Sequence, residues 1–360
     1  MKRLILLIIV VGVLALAGLG AWAYSDLHKP ASHTKSEQYI EIPKGSSPSA
    51  ILRKLADEGV IKHEWPLKIY LKSTGAGSTL KAGEYTFPSP ISPLGVLAKL
   101  QQGQRRLNRL TIIEGWTRWD IARAMVQVPE LKLSSEAQAL ELMNDVSLIR
   151  DLDPSATNLE GYLFPDTYEF SPETTGAELV ETMVKRFRSV WKPDWSDRAR
   201  SLSFTPREIV TTASIIETEA KLADERPVVA SVIYNRLRQQ IPLAVDSSVI
   251  YGSKLEGKWR NDGKVYRSDI ERRSPYNTRI YAGLPPGPVS SPGESSLKAA
   301  LNPATSDYLY YVRNPDRDDG AHNFYSNGAE FETGVQALRK WERDRDQEAA
   351  RKKRESGGGK

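Results

Sequence analysis

Two glutamates, Glu217 and Glu219, close the segment TPREIVTTASIIETEA that runs from Thr205 to Ala220. A carboxyl group carried to the edge of an apolar surface loses part of its hydration. That loss disfavours the charged form and raises the pKa, which is what a general acid working near neutral pH needs. The segment has the marks of a rigid carrier. Thr205 offers an N-cap oxygen, Pro206 a first helical residue whose missing N–H costs nothing, and Glu208 a capping-box carboxylate. Ile209, Ala213, Ile216 and Ala220 then share one face. At about 100° per residue the apolar stripe centres near Ala213 and Ala220, with Glu217 roughly 70° to one side and Glu219 roughly 90° to the other. Periodicity therefore leans toward Glu217 as the half-buried member. Spacing alone still fits two solvated helix carboxylates.

Composition narrows the chemistry. The 360 residues contain no cysteine, which removes thiol nucleophiles, disulfides and thiolate metal sites. His28, His33, His63 and His322 lie far apart without an HExxH spacing, which argues against a zinc hydrolase. No motif suggests a metal or an organic cofactor, and none is expected. The net charge of +5 is mostly terminal: residues 336–360 hold nine Lys/Arg and five Asp/Glu, and Lys2 and Arg3 add two more positive charges. The remainder is close to neutral, so the basic balance is no nucleic-acid footprint.

Stepping outward, Lys2 and Arg3 precede an unbroken apolar run from Leu4 to Ala23, long enough to span a bilayer. The flanking charge places the N-terminus in the cytoplasm and the rest of the chain outside. Ala21-Trp22-Ala23 could also serve as a signal-peptide cleavage site, but the run exceeds an ordinary h-region of about 7–15 residues. The expected organisation is an anchor at 1–24, a polar tether at 25–37, a small α+β module at 38–105, a larger mixed α+β domain at 106–335 and a charged, solvated, partly helical tail at 336–360. Within the module, Tyr39 to Pro43 alternates as a strand, Ser47-Pro48 opens a helix through Ile51 and Leu55, and Trp65 to Leu71 is a second helix. Leu80 to Phe87 returns as a strand. Strand, glycine turn and helix recur about 70 residues later, with Ile121 and Met125 standing after Gly115 as Ile51 and Leu55 stand after Gly45. Asn158 to Phe170 is dense in aromatics around Pro165, either a core turn and edge strand or a wall on which sugars stack. From Ile241 onward the texture predicts loops, including Asp246-Ser-Ser248 and the rigid proline-glycine path from Gly283 to Gly293. Tyr308 to Val312 and His322 to Tyr325 read as strands.

In order along the chain, these segments resemble the MltG-type (YceG-like) endolytic murein transglycosylase family. The motifs that carry the resemblance are Glu160-Gly-Tyr-Leu-Phe-Pro-Asp-Thr-Tyr168, Ala213-Ser-Ile-Ile-Glu217, Ala230-Ser-Val-Ile-Tyr-Asn-Arg-Leu237 and Asp246-Ser-Ser-Val-Ile-Tyr-Gly252. Tyr276-Asn-Thr278, Gly283-Leu-Pro-Pro-Gly287 and Ser291-Pro-Gly293 complete the set. The family's commoner Glu-Lys-Glu pattern carries Thr218 in the middle here.

The resemblance implies a LysM-like subdomain followed by a catalytic domain with a lysozyme-like glutamate helix, and it places the catalytic glutamate at Glu217. The implied reaction cleaves the β-1,4 bond between N-acetylmuramic acid and N-acetylglucosamine in peptidoglycan and leaves 1,6-anhydro ends. Candidate substrate contacts are Asp246, Ser247, Tyr251, Tyr276, Asn277 and Thr278, each equally able to structure its own loop. Glu219 is then expected on the helix surface and His322 in a structural role. Hydrolysis, with Asp246 or Glu219 as second carboxylate, and a non-catalytic murein-binding scaffold stay open as alternatives. The partners implied are glycan strands, the membrane and peptidoglycan synthases.

Overall fold

The computed structural model describes residues 2–103 and 107–357. The expected module boundary at 105/106 and the last three residues of the tail lie outside them. Contacts divide the chain into two compact units, residues 1–108 and 109–360.

The first unit runs α1 (Lys2–His28), β1 (Ile40–Ile42), α2 (Pro48–Asp57), α3 (Glu64–Thr74), β2 (Gly83–Tyr85) and α4 (Pro93–Gln102). Among the described residues, α1 is the one helix long and apolar enough to cross a membrane. Its remaining elements fold as the β–α–α–β pattern predicts. The two strands pair antiparallel with Ile40 opposite Tyr85 and Ile42 opposite Gly83. Ile42, Leu52, Leu55, Leu67, Phe87 and Leu100 fill the core beneath them. The second strand is shorter than its sequence pattern, because a ladder extends only as far as its partner and Pro43 has no N–H to continue it.

The second unit begins with β3 (Asn108–Thr111), α5 (Arg118–Val126), α6 (Glu136–Leu142), β4 (Thr167–Phe170), α7 (Gly176–Val190) and α8 (Pro193–Ser201). It continues with α9 (Pro206–Glu219), α10 (Arg226–Arg238), α11 (Asp246–Leu255), α12 (Arg267–Ile270), α13 (Glu294–Leu301), β5 (Tyr310–Arg313), β6 (His322–Tyr325) and α14 (Gly328–Gly357). The overall class is therefore mixed α+β with small two-stranded sheets. The aromatics of the Asn158–Phe170 segment belong to the core: Tyr162, Phe164, Tyr168 and Phe170 are all buried.

The tail, expected to be partly helical, lies in a helix that starts at Gly328, where Phe331 stacks on Tyr310 at 4.9 Å and packs edge-on against Tyr325 of the β5–β6 hairpin. Two expectations need correction. Asp246-Ser-Ser248 is the first turn of helix α11 rather than loop; an acid and two hydroxyls at a helix start mimic loop composition. And α9 has no solvated face over most of its length. Every residue from Ile209 to Ile216 is buried, including Thr211, Thr212 and Ser214.

Its caps are as the sequence predicts. Glu208 accepts from the Thr205 N–H at 2.8 Å while Thr205 Oγ1 accepts from the Glu208 N–H at 3.2 Å. What buries the polar side is the proline-glycine path, which lies along the helix from beginning to end. The Pro286 carbonyl accepts from Arg207 Nε at 2.8 Å. Val289 donates its N–H to Ser214 Oγ, and Ser290 Oγ donates to the Ser214 carbonyl, both at 3.0 Å. The path also needs room at Gly161, which has φ +84° and would place a Cβ 2.5 Å from Pro288 Cβ and 2.9 Å from Val210 Cγ1. Gly161→Ala combines backbone strain with overpacking, and it should lower the unfolding free energy by about 2–4 kcal/mol. Urea denaturation tests this; an unchanged midpoint would mean that the path does not rest on Gly161.

Candidate active site

Glu217 sits in the last turn of α9, two residues before the helix ends, with a side chain only 4% exposed. A carboxylate so placed needs partners, and each of its oxygens has one. Oε1 accepts from Arg226 Nη2 at 2.9 Å, and Oε2 accepts from the Gly293 N–H at 2.8 Å. Gly293 is the N-cap of α13, so the carboxylate also faces the positive end of a helix. Burial pushes the Glu217 pKa up, and the nearby Glu114 charge pushes the same way, while Gly293, Arg226 and the Ser296 hydroxyl hold it down. Burial prevails, and the group is a weaker acid than an ordinary glutamate.

Local chain geometry brings these partners together. The Gly115 N–H donates to the Ser291 carbonyl at 2.9 Å and the Ser291 N–H donates to the Trp116 carbonyl at 2.7 Å. This pairing sets the Glu114–Gly115 turn beside the start of α13. Gly115 has φ +81°, and a Cβ there would lie 3.9 Å from Glu217 Cγ. A Cβ at Gly293 would take the place of the Glu114 carboxylate and force that side chain to move. Glu114 is half exposed and 3.8 Å from Arg226 Nη2. One guanidinium thus stands between a buried carboxylate and an accessible one.

The six sequence-predicted contact residues occupy two settings. Tyr251 and Tyr276 lie together, ring centroids 4.9 Å apart, and Tyr251 also meets the Trp119 edge at 5.1 Å. Behind them Glu160 is fully enclosed, its Oε2 accepting from the Arg118 N–H at 3.1 Å, and burial pushes its pKa up to about 7. The others serve the 270–279 loop and the start of α11. Asn277 donates from its amide to the carbonyls of Ile270 and Arg272, both at 2.8 Å. Thr278 Oγ1 accepts from the Val245 N–H at 3.1 Å and lies 2.8 Å from Ser248 Oγ. Asp246 is exposed and pairs with Arg279 at 2.6 Å, while the buried Ser247 hydroxyl has no hydrogen-bond partner among the described residues. Among the described residues, no hydrogen bond or ion pair joins any of the six to Glu217.

Glu219 is not a surface residue. The Tyr311 hydroxyl donates to its Oε2 at 2.9 Å, and burial raises its pKa, with Asp246 adding to the rise and His322 opposing it. The β5–β6 hairpin covers this side of α9, which periodicity within one helix cannot anticipate. His322 is engaged with Glu225: its N–H donates to Oε1, and Nδ1 lies against Oε2, both at 2.8 Å. Neighbouring Glu225 and Arg226 therefore tie the loop after α9 to the hairpin on one hand and to Glu217 on the other.

Sequence reasoning missed Glu114, Glu160, Arg226 and Gly293 as members of the site and of its wall. The available signals were slight: Glu114-Gly115 in the repeated strand–glycine–helix echo, Glu160 and Gly293 inside motifs already noted, and Arg226 followed by a proline at a helix start.

A model of the YceG-like family matches residues 40–337. A Bacillus subtilis (strain 168) protein named endolytic murein transglycosylase is 35% identical over 311 residues, which are 81% of this chain and 84% of that protein. A Streptococcus pneumoniae protein of the same name is 29% identical over 327 residues, covering 84% of this chain and 59% of its own length. The 2.6 Å crystal structure of a yceG-like protein from Listeria monocytogenes is similar with a TM-score of 0.56 and 32% identity, covering 83% of this chain and 99% of that one.

The buried Glu160 makes a measurable demand. Its folded pKa of about 7 lies above the unbound value of 4.5, so the folded state holds the proton more tightly. The contribution of Glu160 to stability must fall as pH rises from about 4.5 to 7, by an amount on the order of 3 kcal/mol. Glu160→Gln should flatten that part of the stability–pH curve. Urea midpoints at pH 5 and pH 7.5 check it; an equally steep fall in the variant would assign the slope to another group.

Proposed function

The chain belongs to the YceG-like family, and from that premise we propose that it is a lytic transglycosylase of peptidoglycan with Glu217 as its general acid and base. The observation that carries this reading is the buried Glu217, its pKa raised by burial, held between Arg226 and the Gly293 N–H. The protonated carboxyl gives its proton to the glycosidic oxygen between N-acetylmuramic acid and N-acetylglucosamine, and an oxocarbenium-like transition state develops at C1. The carboxylate left behind is stabilised by the guanidinium and the backbone donor. It then takes the proton of the muramoyl C6 hydroxyl as that oxygen attacks C1, closing a 1,6-anhydro ring. The nucleophile belongs to the substrate, so intramolecular proximity replaces an activated water.

In this reading α1 anchors the protein in the cytoplasmic (inner) membrane with Lys2 and Arg3 on the cytoplasmic side, and the second unit works outside on nascent strands. Endolytic cutting there would end strand elongation, beside peptidoglycan synthases. The first unit takes the LysM-like role, and the α9 region the role of a lysozyme-like glutamate helix. Tyr276 is the proposed sugar contact, with the buried Tyr251 ring behind it and Asp246, Ser247, Asn277 and Thr278 shaping the wall that carries it. Glu114 supports a second reading, a hydrolytic muramidase, because it is an accessible carboxylate sharing Arg226 with the buried one.

Glu217→Gln preserves shape and removes the acid, so release of anhydromuramoyl ends from purified murein should fall by about 10²–10⁴-fold. Mass spectrometry of the products decides: reducing ends in place of anhydro ends support hydrolysis, and intact strands with the native protein support a binding scaffold. The pH–rate profile separates the neighbours. Arg226→Gln removes a charge that holds the Glu217 pKa down, so the alkaline limb should move to higher pH. Glu114→Gln removes a charge that pushes it up, so the limb should move to lower pH with much of the activity kept. Loss of nearly all activity in Glu114→Gln would instead mark it as the base of a hydrolase.

A further inference from the structure

A second feature of the same unit lies along the wall that starts at the Glu114 turn. Trp119, five residues beyond Glu114 on α5, and Trp259, in the loop that leaves α11, line a cavity of about 280 Å³ together with Arg123, Glu136, Lys254 and Asn261. Both tryptophans are half-buried. Trp119 is fixed from behind by the Tyr251 ring and by cations over its face, Arg118 at 4.8 Å and Lys254 at 5.8 Å. Trp259 is placed by a tight reversal: Gly257 has φ +64°, and the N–H groups of Lys258 and Trp259 both donate to the Ser253 carbonyl. The volume lies just below the usual range of about 300–1,000 Å³ for small-molecule clefts, so it suits one ring rather than an oligosaccharide.

The polar lining is placed to orient such a ring. Lys254 is largely buried and anchored by Thr117 Oγ1 at 3.2 Å and by Asp120 at 3.5 Å. Arg123 is half exposed, and its ion pairs are loose, 3.7 Å to Asp120 and 3.5 Å to Glu136. It can therefore turn to an incoming acceptor at little cost. Glu136 and Asn261 add acceptor and donor groups on the rim. Two tryptophans set among charged and amide groups match a hexopyranose, whose C–H face is apolar and whose edge carries hydroxyl and acetamido groups.

We infer that the Trp119–Trp259 cavity is a separate holding site for one acetamido-sugar unit of a glycan strand, away from the bond that is cut. The inference rests on the transglycosylase reading for its ligand, but not on the chemistry of Glu217. A strand gripped at both places is presented to Glu217 from within its length, not only by its end.

The test uses the full chain in detergent micelles, in a Glu217→Gln background so that the probe survives. The probe is murein glycan strands stripped of stem peptides, titrated by calorimetry. Trp259→Ala should raise the dissociation constant about tenfold; Trp259→Phe should recover most of the affinity, and both should melt at the parent temperature. In the unsubstituted side chains, the indole N–H resonances of Trp119 and Trp259 should shift as strands are added. Equal affinity in Trp259→Ala, or indole resonances that do not move, overturns the holding site even where the native protein still cleaves murein. Strands that bind through Trp259 but are never cut by the native protein would leave the holding site standing and overturn the transglycosylase reading instead.

Discussion

A carboxylate can leave water only where other groups answer for its charge, and much of the second unit answers to that requirement at Glu217. The helix that carries it is enclosed from Ile209 to Ile216, so the last turn emerges from a packed centre rather than from a surface. Arg226 and the Gly293 N–H meet its two oxygens from opposite segments of chain, one following α9 and the other entering α13. Neither partner cancels the cost of burial, and the residual imbalance is what leaves the group able to keep a proton. The small residue at Gly293 leaves room for a second carboxylate beside it. A side chain at Gly293 would displace the Glu114 carboxylate, and that carboxylate is part of the same electrostatic balance.

The two glutamates at the end of α9 are both desolvated, yet their partners sort them. Glu219 receives a phenol hydroxyl from the β5–β6 hairpin and is closed in by it. Glu217 receives a guanidinium and a backbone donor and lies next to an accessible acid. A hydrogen bond from a tyrosine fastens one element onto another. A cation and a helix N-terminus instead stabilise an anion that comes and goes. The Glu225–Arg226 pair extends this division of labour, one residue holding the hairpin through His322 and the next holding Glu217.

How much of this was legible in the sequence varied with the range of the interaction. Capping residues act within one turn, so Thr205, Pro206 and Glu208 announced α9 correctly, and Ser47-Pro48 announced α2. The β–α–α–β module was readable for the same reason. The start of α11 was not, because Asp246-Ser-Ser248 is equally good as loop or as the first turn of a helix, and only its contact with Thr278 decides. The buried polar face of α9 was invisible as well: Thr211, Thr212 and Ser214 look solvated until the 286–293 path lies over them.

What the sequence determined by itself is therefore local or collective: the caps and periodicity that make a helix ending in two glutamates, the apolar N-terminal run, and the ordered set of motifs that places the chain in its family. What only the tertiary structure decided is the environment of each carboxylate. Glu114 and Gly293 lie far from Glu217 along the chain and meet it because backbone pairing at Gly115 and Ser291 closes the intervening loops, while Arg226 reaches it from the start of the next helix. Desolvation and charge are set by such non-local neighbours, not by residue type or spacing. That is why helical periodicity could lean toward Glu217 but could not bury Glu219 or find the arginine.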